Sequence, residues 1–126
     1  MLEIHPSYPA LASVAEKYPT HRGSLFQTYN DILLGKTTQQ WRDVQVIDLA
    51  LCKRGALQGR RPRTAADADL LLHIVPCSLA ESISLAWIQD VFAALVNPPS
   101  IYLAVVSDDS SIVYYKLSSG IVKPSI

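Results

Sequence analysis

This chain is short of most of the residues and patterns that would reveal a chemistry at once. Cysteine occurs only as Cys52 and Cys77, each in an apolar run and without paired metal-ligand spacing. Buried free thiols in a reducing compartment are the expected reading. Charge of one sign is missing too: 11 lysines and arginines balance 11 aspartates and glutamates. The whole molecule therefore has no strong field toward nucleic acid or membrane, and any charge argument must be local. No apolar run approaches the roughly 20 residues of a membrane span. The N-terminus lacks a basic region followed by an apolar run and a small-residue cleavage site. These absences predict a cytosolic, nuclear or peripheral protein with no membrane insertion. No phosphate-binding glycine loop, H-E-x-x-H or G-x-S-x-G is present, so short motifs indicate no metal, no cofactor and no enzyme. No repeat appears at solenoid or propeller periods.

What is present suits one domain over residues 1–126, since about half the residues are apolar (49%) and the length supports a single core. Residues 6 to 35 read as two helices, with Leu11, Val14, Ala15 and Tyr18, then Leu25, Phe26, Tyr29, Ile32 and Leu33, at three- and four-residue spacing. Pro19 is placed to start the second helix and Gly35 to end it. "WRDVQVIDLAL" shows Val44 alternating with Val46 before the parity slips to Ile47, Leu49 and Leu51. That slip predicts a strand with a bulge, or one buried on both faces. "CKRGALQGRRPRTAADAD" is the least hydrophobic stretch, and we read residues 53–67 as a mobile basic loop. "DADLLLHIVPC", bounded by acids and Pro76, predicts an interior strand. Ser78 and Glu81 match a capping box ahead of Leu79, Ile83, Trp87, Val91 and Leu95, predicting a helix over 78–96 that "NPP" at 97–99 stops. "IYLAVV" and "IVYYKL", joined by "SDDSS", predict a C-terminal hairpin. Too few helices separate the strands for a doubly wound sheet. The expected class is α+β, with N-terminal helices and a mixed or antiparallel sheet.

Three groups of residues deserve weighing. His5, His21 and His73 lie apart in sequence, and His73, inside an apolar strand, reads first as a packed ring with its hydrogen bonds satisfied rather than a base. Lys53, Arg54, Arg60, Arg61 and Arg63 concentrate positive charge in a glycine-containing span that could neutralise RNA phosphates, or could simply be a solvated loop. In the hairpin, Ile112, Tyr114 and Lys116 share one face of the last strand, and Val113, Tyr115 and Leu117 the other. A terminal strand apolar on both faces is an edge that calls for another chain.

The run "PPSIYLAVVSDDSSIVYYKLSSGIVKP", with "WRDVQV", "LQGRRP" and "LLLHIVP" upstream, resembles the Sen-fifteen family of small tRNA-splicing endonuclease subunits in its fungal form. The resemblance implies the fold of the catalytic domain of tRNA-intron endonucleases, whose active members use a tyrosine base, a histidine acid and a stabilising lysine, without a metal. At the corresponding places this chain has Ala65, Ala66 and Asp67 for the histidine, and Asn97, Pro98 and Pro99 for the lysine. No tyrosine lies between Tyr29 and Tyr102. The resemblance thus implies an inactive subunit of a four-chain complex that cuts precursor tRNA at exon–intron junctions. It implies that Ile112 to Leu117 pair with a thirty-four-kilodalton-class catalytic subunit, and that Asp108 and Asp109 enter a basic cleft on another subunit. It places the complex in the nucleus or on the cytosolic face of the mitochondrial outer membrane. The same sticky edge offers the isolated chain a route to a homodimer. Two alternatives stand beside this reading: an RNA-binding accessory domain acting through the arginine-rich loop, and an autonomous ribonuclease using His73 and Tyr102.

Overall fold

A computed structural model describes residues 8–34, 41–62, 66, 69–81 and 83–119. The chain opens with helix α1 (Tyr8–Lys17), a short 3-10 turn over Pro19–His21 and helix α2 (Arg22–Leu34). Strands β1 (Arg42–Leu49), β2 (Arg54–Arg60) and β3 (Leu72–Ser78) follow, then helix α3 (Leu85–Ala94) and the hairpin of β4 (Ser100–Val106) and β5 (Ile112–Ser118). The strands form one five-stranded sheet in chain order. Only β3 and β4 run parallel, because α3 is the crossover between them; the other neighbours are antiparallel. The expected α+β class with a mixed sheet is observed. Among the described residues no helix is long and apolar enough to cross a membrane.

Each sheet face has its own core. Leu11, Leu25 and Ile32 of the N-terminal helices pack on Val44, Leu57, Ile74 and Ala104. Val91 and Phe92 of α3 pack on Leu49, Val75, Cys77 and Leu103 across the sheet. Of the two alternatives for β1, burial on both faces explains the parity slip: the ladder is regular from Gln45 to Leu49, with Val46 packed toward one layer and Ile47 and Leu49 toward the other, and the register shift lies upstream, between Arg42 and Gln45. The interior position of the "LLLHIVP" strand is also observed, but β3 runs through Pro76 rather than stopping at it.

The basic stretch corrects the reading of residues 53–67 as a mobile loop. Arg54–Arg60 is a strand inside the sheet, paired with β1 and β3. Glycine and arginine mislead here because each has a packing reason. A Cβ on Gly55 would lie 2.6 Å from Val14 Cγ1 and 2.9 Å from a Leu25 methyl, so its bareness lets both N-terminal helices press onto the strand. Arg63 lies outside the described residues, as do His5 and Gly35.

The helix expected over 78–96 is shorter. Its N-cap is Ser84, whose Oγ accepts from the Trp87 amide at 3.1 Å. The Ser78–Glu81 pair makes capping-box-like bonds around a turn at the end of β3. The Ser78 amide donates to Glu81 Oε2 at 2.6 Å, and Ser78 Oγ accepts from the Ala80 amide at 3.2 Å. Pro19 likewise opens the 3-10 turn, and α2 starts three residues later.

Candidate docking edge at the C-terminal hairpin

The two ends of the sheet are built differently. β1 is blunted: Asp43 sits at φ 54° beside the register shift, and Asp48 is held by Lys17 Nζ at 2.7 Å and by the Tyr18 hydroxyl at 2.5 Å. Charged side chains and an irregular backbone discourage addition of a further strand. β5 carries a single such charge, Lys116, and no irregularity. It runs seven residues with unbroken register against β4, and among the described residues no strand covers its other side.

The hydrogen-bond phase of that ladder can be fixed. The Ser107 amide donates to the Ser111 carbonyl at 2.9 Å, and the Ser119 amide to the Pro99 carbonyl at 3.0 Å. Antiparallel pairs alternate between bonded and non-bonded. The register therefore makes Val105–Val113, Leu103–Tyr115 and Ile101–Leu117 the bonded pairs. Ile112, Tyr114, Lys116 and Ser118 consequently direct their amides and carbonyls away from β4, at the free edge.

Side chains sort by face as the alternation predicted. Ile112 and Tyr114 lean on the core beneath α1 and α2, and Leu117 on the core beneath α3. Val113 and Tyr115, on the α3 side, are 48% and 53% exposed. Lys116 is exposed and is the only charge on the strand. An incoming strand would find unpaired backbone groups flanked by apolar side chains above and below the sheet.

The acidic tip separates into two roles. Asp109 accepts from the Ser111 hydroxyl at 2.7 Å and amide at 3.1 Å, and these bonds hold its carboxyl below the usual range. It builds the turn. Asp108 is exposed at the tip and lines one wall of a polar cleft of about 480 Å³, with Thr20, His21, Ser24, Gln27 and Glu81 among the other walls.

The described arginines expected on RNA each bond to other groups of the chain, and Arg54 is buried. Arg54 is 4% exposed. Its Nη1 donates to the Pro76 carbonyl at 3.0 Å, its Nη2 meets Glu81 Oε1 at 2.5 Å, and its guanidinium lies 4.7 Å from the Trp87 ring centroid. Pro76 has no N–H to give, and the β2–β3 register ends at the Leu57–Ile74 pair. The Arg54 side chain thus supplies the donor that the carbonyl needs. Burial pushes the Glu81 carboxyl up, but the bonds from Arg54 and the Ser78 amide outweigh it and hold the group below its ordinary value. Arg60 bonds the Asp69 carbonyl and sits 3.3 Å from Asp43, while Arg61 reaches the Tyr102 hydroxyl at 3.4 Å. Lys53 is exposed in a left-handed turn just before β2. A single phosphate-binding loop of Lys53, Arg54, Arg60 and Arg61 is therefore not what the fold builds.

The histidine–tyrosine pairing also fails. Tyr102 is level with Ile74 on the face toward the N-terminal helices, where it meets Trp41 edge-on at 6.2 Å. His73 precedes Ile74, so its ring points to the opposite face. It is half-buried, burial lowers its pKa, and its Nδ1 has no hydrogen-bond partner, which corrects the expectation of a satisfied ring. Among the described residues no group of three or more histidine, cysteine and acidic side chains is gathered as for a metal.

Comparisons with known proteins agree on one family. A family model described as "Sen15 protein" matches residues 27–126. The "Probable tRNA-splicing endonuclease subunit sen15" of Schizosaccharomyces pombe is 29% identical over 126 residues, covering 86% of each chain. The "tRNA-splicing endonuclease subunit SEN15" of Eremothecium gossypii is 30% identical over 114 residues, 77% of this chain and 95% of the relative. The human "tRNA-splicing endonuclease subunit Sen15" is 28% identical over 127 residues, 95% of this chain and 70% of the relative.

Proposed function

The chain belongs to the Sen15 family, and from that premise we propose that it is a non-catalytic, structural subunit of a tRNA-splicing endonuclease. Its sheet takes the fold of the tRNA-intron endonuclease catalytic domain without the tyrosine, histidine and lysine that cut RNA. Its work is to hold a catalytic subunit of the thirty-four-kilodalton class by continuing the sheet from β5, and to present Asp108 at the tip to a basic cleft on another subunit. Precursor tRNA is reached through the assembled complex.

The observation that carries this reading is the contrast between the sheet edges: charges and a register shift blunt β1, whereas β5 is regular, carries apolar side chains on both faces and has no described strand along its outer side. A strand of this kind gains a full set of backbone bonds and covers its apolar flanks when another chain adds to it. Val113 and Tyr115 are the side chains to test, because both are exposed on one face and their own amides are already satisfied by β4. In a purified mixture with the thirty-four-kilodalton-class catalytic subunit, the wild-type chain forms a one-to-one complex by light scattering. Val113→Lys with Tyr115→Lys weakens it by more than about tenfold, the loss expected when central apolar anchors are replaced by charge. Equal affinity for the wild type and the double variant overturns the docking-edge reading.

A further inference from the structure

β5 has an unusual way of being held. None of its residues is buried, so the core does not fasten it as it fastens β3 and β4, and a strand with so little burial is prone to local opening. Two polar links run to the hairpin from a single face of α2, one to the turn and one to β5. Gln27 Nε2 donates to Ser110 Oγ at 3.2 Å, and the Tyr114 hydroxyl donates to Asp31 Oδ2 at 2.6 Å. Gln27 and Asp31 are one helical turn apart, on neighbouring positions of the helix surface. Ser110 and Tyr114 are likewise four residues apart, one in the turn and one in the strand. The second link is the stronger in kind: Asp31 is a carboxylate only 8% exposed, and it receives a short hydroxyl bond from a half-buried ring. Burial and the Asp31 carboxylate together push the Tyr114 phenol far above its ordinary pKa, so the hydroxyl stays a donor at any physiological pH.

We propose that α2 splints the docking strand, with Gln27 and Asp31 as positioning residues that fix the hairpin tip and the edge of β5 in the shape a partner strand needs, without touching the partner. The inference rests on the docking-edge reading and adds residues that it does not contain. Its physical content is preorganisation. Tyr114 is one of the residues whose backbone groups face outward, so anchoring its ring to α2 holds those groups in line before the partner arrives and removes an ordering cost from association.

The test uses the full chain and the thirty-four-kilodalton-class catalytic subunit, with Asp31→Leu plus Tyr114→Phe to remove donor and acceptor together, and Gln27→Ala as a separate, milder variant. The double variant is expected to bind about tenfold more weakly and Gln27→Ala about threefold, mostly through slower association, because ordering now accompanies docking. Amide exchange of the free chain supplies the readout that general destabilisation would not give. The amides of Val113, Tyr115 and Leu117 lose protection while those of β3 keep theirs. If the double variant also loses β3 protection, Gln27→Ala alone decides. Affinity within twofold of wild type, or exchange unchanged in β5, overturns the splint. The Val113→Lys, Tyr115→Lys variant is run alongside. If it too binds normally, the docking edge itself has failed; if it alone loses binding, only the splint has.

Discussion

Arg54 carries much of the chemistry that was hidden in the sequence. Beside Lys53 and before Gly55 it looks like part of a solvated basic span, and nothing local says that its guanidinium will be the donor for a proline carbonyl across the sheet. That role depends on Pro76, Glu81 and Trp87, all more than 20 residues away. Around the same network lies a pH dependence. Burial, then the Arg54 charge, lower the pKa of His21, with Glu81 opposing at 3.6 Å, and burial lowers that of His73. The unfolded chain takes up protons at both rings near the ordinary value of 6.5, whereas the folded chain does so only at lower pH. Stability is therefore lost as pH falls through 6.5 toward the folded values. The depressed carboxyl of Glu81 acts in the same direction further down, its contribution present above its ordinary 4.5 and lost as pH falls through its folded value. Urea unfolding should give a smaller free energy at pH 5.5 than at pH 7.5, and His21→Gln with His73→Gln should remove that decline. A wild-type stability that does not change between those pH values contradicts the assignment.

Elements were legible where one physical rule governed them. The hairpin, the interior "LLLHIVP" strand and the two N-terminal helices follow from apolar periodicity, and each is where that periodicity puts it. β2 was not legible, since a strand that accommodates two helices at Gly55 and buries an arginine has a loop's composition. The start of α3 was misplaced for a different reason. Ser78 and Glu81 make only one arm of a capping box, the Ser78 amide donating to Glu81 while Ser78 Oγ takes the Ala80 amide; they close a turn after β3, and Ser84 supplies the helix cap six residues later. Ser84→Ala should cost about 1 kcal/mol of stability, the usual worth of a serine N-cap. Helical amide exchange at the start of α3 should rise with it. Equal stability of Ser84→Ala and the wild type in urea titration would contradict that cap.

At the scale of the whole molecule the organising feature is asymmetry across one sheet. α1 and α2 cover one face and α3 the other, β1 closes one side with charge and an irregular backbone, and among the described residues no strand closes the opposite side beyond β5. The sequence announces that openness through a last strand apolar at both parities, but the outward set of amides becomes visible only with the β4–β5 register in hand. That register supplies the most direct test of whether partner chains add to β5. Lys116 is exposed, and its amide faces away from β4. Lys116→Pro therefore removes an outward donor and obstructs a neighbouring strand while leaving the bonds to β4 intact, a placement that edge strands tolerate. Calorimetric titration of this variant with the thirty-four-kilodalton-class catalytic subunit should show binding weakened by more than about tenfold, with the variant still folded. Binding of Lys116→Pro as tight as that of the wild-type chain would contradict the account.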